Sequence, residues 1–241
     1  MRTVAAAVFC KTPAAGLSKT RLSPPLRADE CASLSACFIR DVAATVGALT
    51  YDGDVSGYAV YTPAGSEQRL RALLPMGFRL VLQGEGDLGA RLYKATADLL
   101  AIGHAGAILI NSDSPTLPLA ILRAAADAVR REDAVVLGPA LDGGYTLIGL
   151  SRAHRRIFAD IPWSTPQVYE RTVERAREMR LPVVSLPQWY DIDDGDSLRL
   201  LESELAGERP PFAAPGVTGA EAPATRKFFA ARALAPARSA S

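Results

Sequence analysis

The chain has 241 residues, 49% hydrophobic and 22% charged, a composition that fits one globular domain or two small ones and excludes a disordered or fibrous protein. The formal net charge of +1 argues against nucleic-acid binding, which normally needs a basic excess. Three cysteines without Cys-x-x-Cys spacing exclude a disulfide framework and disfavour a zinc site. Two histidines leave almost no candidates for a Ser-His-Asp or Cys-His mechanism.

The sequence predicts a cytoplasmic protein without a membrane partner. It contains no stretch of 18 uncharged apolar residues, so we expect no transmembrane helix. The apolar run 3–10 faintly resembles a signal peptide. Lys11 ends that run early and Phe9 is large for a cleavage site, so a buried first strand is the favoured interpretation.

Short β-rich runs alternate with helical patterns through residues 1–206, which predicts a single α/β domain, with a mostly parallel central sheet and helices on both faces. The runs 4–9 and 107–110 are continuously apolar, as expected of central strands. Predicted strands are 3–10, 55–61, 78–82, 105–111, 134–138, 145–150 and 183–186. Predicted helices are 28–47, 66–74, 88–102, 118–131, 166–180 and 197–206.

Residues 207–241 differ in composition from the rest of the chain. Alanine, proline and glycine supply 19 of these 35 residues, a mixture that builds little core. We therefore expect a flexible Ala/Pro-rich tail from about residue 207, in which a short helix around 226–234 is compatible with the pattern.

A basic loop follows the first predicted strand. It holds Lys11, Lys19 and Arg21, and it includes Gly16, where the backbone could approach a ligand closely. Lysine and arginine at this position could neutralise a polyphosphate, although the spacing is not that of a P-loop. The alternative is an ordinary solvated basic loop.

Asp113 stands at the end of the apolar fourth strand. A carboxylate in that position is a natural Mg²⁺ ligand where the metal also touches phosphate. Alternatively, Asp113, Ser114 or Thr116 caps the helix that starts near residue 118. A cap explains Thr116 better than Asp113, so we favour the metal-ligand interpretation.

Four aspartates occupy six positions between Asp191 and Asp196, where they repel one another unless a cation or a helix N-terminus compensates. In extended backbone, Asp191 and Asp193 point to the same side, and with Asp113 they could hold one Mg²⁺. The alternative is that Asp194 or Asp196 caps the last helix. Both interpretations can hold together.

Two glycine-rich segments also follow strands. Asp142-Gly143-Gly144-Tyr145 is typical of a tight hairpin, and it could equally form a wall for a substrate, extended by Trp163 and Ser164. The segment from Gln83 through Gly89 to Arg91 is a glycine-rich turn into a helix and a candidate nucleotide contact. Cys10, at the end of the first strand, is interpreted as a small buried residue and not as a nucleophile.

Five motifs, spread in order from about residue 4 to 205, together resemble the GT-A-fold family called selenodomain-associated transferase, in the nucleotide-diphospho-sugar transferase superfamily. Fold alone does not fix the reaction. The motifs are Phe9-Cys-Lys11-x-Pro13-x-x-Gly16-x-x-Lys19-Thr-Arg21-Leu22, Leu88-Gly89-x-Arg91-Leu92, Ser112-Asp113-Ser-Pro115-Thr-Leu117, Gly138-Pro-x-x-Asp142-Gly-Gly-Tyr145 and Pro162-Trp163-Ser-Thr165.

The first loop and the 191–193 segment are similar to those of the guanylyltransferase that activates 2-phospholactate. That likeness implies a triphosphate on the first loop and Mg²⁺ on Asp113 and Asp193. Related glycosyltransferases carry Asp-x-Asp, whereas this chain has a single carboxylate in Ser112-Asp113-Ser114. The guanylyltransferase-like relatives usually continue the late motif as Asp-Thr-Pro, whereas Asp193 is followed here by Asp194-Gly195.

The leading hypothesis is Mg²⁺-dependent nucleotidyl transfer from a nucleoside triphosphate to a small anionic acceptor, with Mn²⁺ as an alternative metal. The first alternative is glycosyl transfer from a nucleotide sugar, and the second is a non-catalytic nucleotide-binding module. The expected catalytic residues are Lys19, Arg21 and Asp113; the expected nucleotide contacts are Lys11, Gly16, Lys19, Arg21, Gln83, Gly89 and Arg91; the expected acceptor contacts are Asp142, Gly143, Gly144, Tyr145, Trp163 and Ser164; and the expected metal ligands are Asp113 and Asp193.

Overall fold

A seven-stranded sheet with strand order β3-β2-β1-β4-β6-β5-β7 forms the centre of the computed structural model, which describes residues 3–234. The strands are β1 (Val4–Lys11), β2 (Val55–Thr62), β3 (Arg79–Leu82), β4 (Gly106–Asn111), β5 (Val135–Pro139), β6 (Tyr145–Leu150) and β7 (Val183–Ser185). The α-helices are α1 (Ala28–Leu49), α2 (Glu67–Arg71), α3 (Leu88–Ala101), α4 (Leu119–Arg131), α5 (Val168–Glu178), α6 (Gly195–Leu205) and α7 (Pro223–Leu234).

The expected mostly parallel sheet is confirmed. Strand β1 pairs in parallel with β2 and β4, and only β6 runs against its neighbours β4 and β5. The carboxyl ends of β1, β2 and β4 therefore lie at one edge, which the amino end of β6 also reaches. All seven predicted strands are present within two residues of their predicted bounds.

Helices cover both faces of the sheet, as expected. Alternate residues of β1 enter different cores: Val4 and Val8 pack beneath α1 and α4, whereas Ala5 and Ala7 pack beneath α3. Each of these strand residues is fully buried. This burial on both sides explains the unbroken apolar run in the sequence.

Helix α1 with the short 3₁₀ turn that follows it spans Ala28–Asp52, long and apolar enough to cross a membrane by length and composition alone. More than half of its most apolar window is buried within the protein, where Leu34, Phe38 and Ile39 are completely enclosed. The helix is thus accounted for as the core helix on one face of the sheet.

Three helix starts test the capping predictions. Asp194 caps α6, because its carboxylate accepts hydrogen bonds from the backbone N–H groups of Asp196 and Ser197. Helix α4 begins without a side-chain cap, so the alternative interpretation, that Asp113, Ser114 or Thr116 caps this helix, is wrong. The hydroxyl of Thr116 instead accepts a hydrogen bond from Trp189. Helix α5 begins two residues later than predicted.

The described part of the C-terminal segment, residues 207–234, packs on the body, in contrast to the mobile extension expected from about residue 207. The carboxylate of Asp41 on α1 accepts hydrogen bonds from the N–H groups of Ala224 and Thr225 and from the Thr225 hydroxyl. Phe212 packs edge-on against Trp189. A few apolar side chains and one buried carboxylate therefore order a segment whose composition is poor in core residues. The remainder, 235–241, lies outside the described residues.

Candidate active site

A cleft of about 690 Å³ opens at the sheet edge where β1, β2, β3 and β4 end. The register sets this edge, because Lys11 pairs with Thr62 and Phe9 pairs with Asn111. The end of β1, the segments that follow β1, β4, β5 and β7, and the first turn of α3 supply the charged side chains of the cleft. Those charged residues are Lys11, Lys19, Arg21, Arg91, Asp113, Asp142, Asp191 and Asp193.

Lys19 ties together three parts of the chain that are distant in sequence. Its Nζ atom lies 2.9 Å from Oδ2 of Asp113, 2.8 Å from Oδ1 of Asp193 and 2.7 Å from the carbonyl oxygen of Ile192. The backbone N–H of Ile192 donates to the carbonyl of Asp113, which brings the ends of both acidic segments side by side. The two expected metal ligands thus share one ammonium group.

The environment of Lys19 keeps it charged. Burial alone would lower its pKa, but the carboxylates of Asp113 and Asp193 outweigh burial and raise the pKa above its ordinary value. The residue adopts a left-handed conformation with φ of 50°, which is uncommon for a side chain other than glycine. Three oxygen partners around the ammonium hold this conformation.

A second acidic group lies beside this ion-pair network. Carboxylate oxygens of Asp142, Asp191 and Asp193 all lie within 4.8 Å of one another. The prediction that Asp191 and Asp193 point to the same side is confirmed. Asp142, from the β5–β6 connection, was expected at the acceptor and not in the metal set. Hard carboxylate oxygens at this spacing are a donor set that suits Mg²⁺ or Mn²⁺.

The pKa of Asp191 reflects the repulsion among the carboxylates of this cluster. Burial, followed by repulsion from Asp142, Asp193 and Asp113, raises its pKa to about 7. The carboxylates of the cluster are therefore not fully neutralised by Lys19. A divalent cation is the ligand that would relieve the remaining repulsion.

Three further cations line the cleft. In the stretch from 3 to 234, the side chains of Lys11, Arg21 and Arg91 have no carboxylate within 4.0 Å, so their charges are available to an anion. Leu22 next to Arg21 is fully buried and anchors the loop. Gly16 is exposed with φ of 73° and open space around it, and it is not among the residues described as lining the cleft.

Two expected nucleotide contacts have other partners. The buried amide of Gln83 donates to the carbonyls of Cys10 and Val60 and accepts from Arg91, so Gln83 positions Arg91 at the cleft. Gly89 packs closely against Phe158, because a Cβ atom at this position would lie 2.4 Å from the Phe158 carbonyl oxygen. Its small size thus serves close packing of α3, and Gly89 is not among the residues described as lining the cleft.

The Asp142-Gly143-Gly144 segment connects antiparallel strands β5 and β6, so the hairpin interpretation is confirmed. Gly143 has φ of 87°, and its backbone lies so close to Pro166 that a Cβ atom would be 2.1 Å from the Pro166 carbonyl oxygen. Gly143 therefore packs against the start of α5, and it is not among the residues described as lining the cleft. Asp142 alone of the three enters the acidic group.

A smaller pocket of about 190 Å³ adjoins the acidic group. It is lined by five of the six expected acceptor contacts, and sequence reasoning missed its apolar walls because such side chains look like ordinary core. The expected contacts that line it are Asp142, Gly144, Tyr145, Trp163 and Ser164, and the missed residues are Phe9, Leu92, Leu109, Ile148 and Val168.

Cys10 is buried, as predicted, and has no features of a nucleophile. Burial and the neighbouring Asp113 raise the pKa of its thiol to about 12. At neutral pH the group is a protonated thiol, which is weakly nucleophilic.

Residues 45–165 match a family model described as "Uncharacterized protein conserved in bacteria (DUF2064)". A search of curated proteins finds no match. The family comparison covers the strands and loops that supply Gln83, Arg91, Asp113 and Asp142.

Several solved structures are similar to this chain. A candidate nucleotide-diphospho-sugar transferase from Desulfovibrio desulfuricans G20 superposes with a TM-score of 0.81 and 26% identity, over 97% of this chain and 96% of that chain. A 4-diphosphocytidyl-2C-methyl-D-erythritol synthase from Anaerococcus prevotii DSM 20548 has a TM-score of 0.54 and 7% identity over 85% and 96%. A CMP:2-keto-3-deoxy-manno-octonic acid synthetase, solved with CTP, has a TM-score of 0.53 and 11% identity over 86% and 100%. The expected GT-A-like fold and transferase superfamily are confirmed.

Proposed function

This chain belongs to the DUF2064 family of bacterial proteins, and we propose that it transfers a nucleotidyl group from a nucleoside triphosphate to a small anionic acceptor. The observation that carries the proposal is one cleft that holds Lys19 between Asp113 and Asp193, three cations that have no carboxylate partner within residues 3–234, and further carboxylates. Such a combination of charges suits a polyphosphate that enters together with a metal ion.

The acidic side of the cleft fits a divalent metal. Asp193 pairs with Lys19 beside Asp113, and it also lies in the cluster with Asp142 and Asp191. We therefore keep Asp113 and Asp193 as proposed metal ligands and add Asp191 and Asp142. Their oxygens favour Mg²⁺, with Mn²⁺ as the alternative. When bound, the ion would neutralise phosphate oxygens and the charge that develops near the α-phosphorus.

The basic side of the cleft suits the triphosphate. Among the described residues, no carboxylate pairs with Lys11, Arg21 or Arg91, so these side chains can bind phosphate oxygens, the arginines as bidentate donors. Lys19 neutralises two carboxylates in the structure. We propose that, with a metal on these carboxylates, the ammonium of Lys19 would donate to phosphate oxygens instead.

The acceptor supplies the attacking oxygen. An oxygen of its phosphate or carboxylate forms a bond to the α-phosphorus as the bond between that phosphorus and the bridging oxygen breaks. The electron pair leaves with pyrophosphate, whose negative charge the cations of the basic loop stabilise. An anionic acceptor needs no general base, which fits a cleft with no histidine among the residues described as lining it.

A coupled pyrophosphate-release assay tests this proposal. Each of the four nucleoside triphosphates is supplied with Mg²⁺ and a panel of phosphorylated and carboxylated acceptors. Arg21→Ala should reduce kcat/KM by about 10-fold to 100-fold through the loss of a charge-assisted contact, whereas Lys227→Ala, an exposed residue on α7, should leave it unchanged. Equal losses in both variants would contradict the proposed triphosphate site.

Glycosyl transfer is the second candidate, because the D. desulfuricans relative is named for nucleotide-diphospho-sugar transfer. That reaction predicts tighter binding of a nucleoside diphosphate than of the triphosphate. Competition between the two nucleotides for the cleft distinguishes the candidates.

A further inference from the structure

We propose that Lys19 makes the cleft bind a divalent metal and a polyphosphate together, and either one alone only weakly. In the structure its ammonium group pairs with two of the carboxylates proposed to hold the metal, and those carboxylates keep the ammonium from phosphate. The inference rests on the proposed function and adds that binding of each charged ligand depends on the other.

The ammonium group of Lys19 has all of its donors in use. An ammonium carries three N–H donors and no acceptor. Three oxygen atoms lie 2.7 Å, 2.8 Å and 2.9 Å from Nζ, and they belong to the Ile192 carbonyl, Asp193 and Asp113 respectively. The side chain is only 8% exposed. Lys19 can therefore donate to a phosphate oxygen only after one of these three contacts is broken.

The same contacts oppose metal binding in the absence of an anion. The side chains of Asp113 and Asp193 are 33% and 46% exposed, so both carboxylates can be reached from the cleft. With a metal on them, the ammonium of Lys19 would lose two anionic partners at a largely buried position. A buried charge without partners is strongly unfavourable, and a phosphate oxygen would supply the missing partner.

The loop that carries Lys19 also carries the cations that would hold the polyphosphate. Lys11 and Arg21 line the cleft, and within residues 3–234 neither has a carboxylate within 4.0 Å. Leu22 is fully buried and its N–H donates to the Lys19 carbonyl, which fixes the backbone. The flexible four-carbon stem of lysine lets the ammonium change partners while the loop stays in place.

These contacts make the coupling reciprocal. If a metal makes the ammonium of Lys19 available to phosphate, then phosphate on Lys19 makes the carboxylates available to a metal by the same factor. Coupling between two binding sites typically changes affinity by about 5-fold to 150-fold. We expect about 10-fold here, because Lys19 is one of several charged groups that each ligand would contact.

The variant Lys19→Met distinguishes this role from a purely structural one. It should bind Mn²⁺ alone about 10-fold more tightly than the unmodified chain, because the competing ammonium is absent. A residue that only held the site together would weaken Mn²⁺ binding when replaced. Electron paramagnetic resonance measures free Mn²⁺, and circular dichroism checks folding.

Lys11→Met is the matched control for Lys19→Met. It removes an equal charge from the same cleft, at a side chain that pairs with no carboxylate among the described residues. We expect it to change Mn²⁺ affinity by less than about 3-fold, since salt screens charges that are not in contact.

Tripolyphosphate binding in EDTA tests the reverse direction with Lys19 intact. Asp113→Asn leaves the ammonium with one carboxylate partner, so it should tighten tripolyphosphate binding by about 3-fold to 10-fold in isothermal titration calorimetry. Asp142→Asn removes a cleft carboxylate that does not pair with Lys19, and it should alter this binding by less than about 2-fold.

Thermal shifts with Mg²⁺, with tripolyphosphate and with both together measure the coupling itself. In the unmodified chain, the shift with both should exceed the sum of the separate shifts, and this excess should largely disappear in Lys19→Met. Complex formation between Mg²⁺ and tripolyphosphate in solution is the same for both proteins, so the difference between them reports on Lys19. An equal excess in both proteins, or Mn²⁺ binding that is unchanged or weaker in Lys19→Met, would overturn the inference. If Lys19→Met does not fold, unchanged tripolyphosphate binding in Asp113→Asn overturns it.

Pyrophosphate release separates failure of this inference from failure of the proposed function. If Lys19→Met binds Mn²⁺ more tightly but the unmodified chain releases no pyrophosphate with any triphosphate and acceptor, the coupling stands and the transfer proposal fails. If pyrophosphate is released but Lys19→Met binds Mn²⁺ no more tightly, the transfer proposal stands and the coupling fails.

Discussion

The Nζ atom of Lys19 lies 2.8 Å from Oδ1 of Asp193, although 174 positions of sequence separate the two residues. The loop after the first strand is thereby fixed to the segment before α6. Asp113, which follows the end of β4, forms an ion pair with the same ammonium group. The candidate active site is therefore assembled from three distant regions of the chain by one buried cation.

Replacement of Asp113 should abolish transfer without unfolding the protein. We expect Asp113→Asn to lower kcat by at least about 100-fold, because a charge that stabilises the metal and the reacting phosphates is lost. Lys19 keeps Asp193 and the Ile192 carbonyl as partners, so the melting temperature should change by only a few degrees. Pyrophosphate release and circular dichroism measure the two effects, with the exposed Asp98→Asn as the control. Full activity in Asp113→Ala would eliminate the proposed role.

Asp191 should make the protein less stable as pH rises when no metal is present. Its pKa is raised from an ordinary value of 3.8 to about 7, so folding favours the protonated form. The stability that the folded protein has with Asp191 protonated is fully present below about pH 4, and it is lost progressively as the pH rises to about 7. Melting temperatures measured in EDTA between pH 4.5 and 8 should show the decline.

The variant Asp191→Asn should reduce the decline of the melting temperature between pH 4.5 and 8 in EDTA. It should also raise the melting temperature at pH 8, because it removes one of the mutually repelling carboxylates. Mg²⁺ should stabilise the unmodified chain more at pH 8 than at pH 5.5, since the metal binds the ionised carboxylates. A melting temperature in EDTA that is independent of Asp191 across this range would contradict the account.

The fold was predictable because its signals are local and periodic. The apolar run of β1 and the alternation of strands with helices identify a buried parallel sheet before any contact is known. The pairing of Asp191 with Asp193 follows from extended backbone alone. The charged residues at strand ends could therefore be recognised as one site, although their individual partners could not.

Other features depend on contacts between distant segments. The sequence places Gln83 and Gly89 in a glycine-rich turn, but only the fold shows that Gln83 holds Arg91 and that Gly89 packs against Phe158. The apolar pocket walls are indistinguishable from core in the sequence. Likewise, the composition of the C-terminal segment gives no sign that Asp41 will cap α7.

Gly143 should be intolerant of a side chain. Gly143→Ala combines a left-handed φ of 87° with a Cβ position 2.1 Å from the Pro166 carbonyl oxygen, so the hairpin and the start of α5 must move apart. We expect a loss of more than about 2 kcal/mol in the free energy of unfolding, and a displaced Asp142 should weaken metal binding. Gly53→Ala, at φ of 74° in open space, should cost only about 1–2 kcal/mol. Urea denaturation compares the two, and equal losses would refute the packing argument.

Asp41 should hold the C-terminal helix in place. Asp41→Ala removes the acceptor of three hydrogen bonds at the start of α7, and we expect a loss of about 1–3 kcal/mol. Hydrogen exchange in Pro223–Leu234 should accelerate more than exchange in β1. Asp127→Ala, at a half-buried position on α4 that is distant in sequence from α7, serves as the control. Unchanged protection of α7 in Asp41→Ala would show that other contacts suffice.

The central claim is that the cleft binds a nucleoside triphosphate together with a divalent metal, and a thermal-shift panel tests it most directly. The panel compares the four triphosphates, their diphosphates and several nucleotide sugars, each with and without Mg²⁺. A ligand at 100 times its Kd stabilises by about 2.7 kcal/mol, which raises the melting temperature of a domain this size by roughly 5–10 °C. The account predicts a Mg²⁺-dependent shift with one triphosphate that is lost in both Arg21→Ala and Asp193→Asn. A shift confined to a diphosphate and its sugar, or one that survives both substitutions, would contradict it.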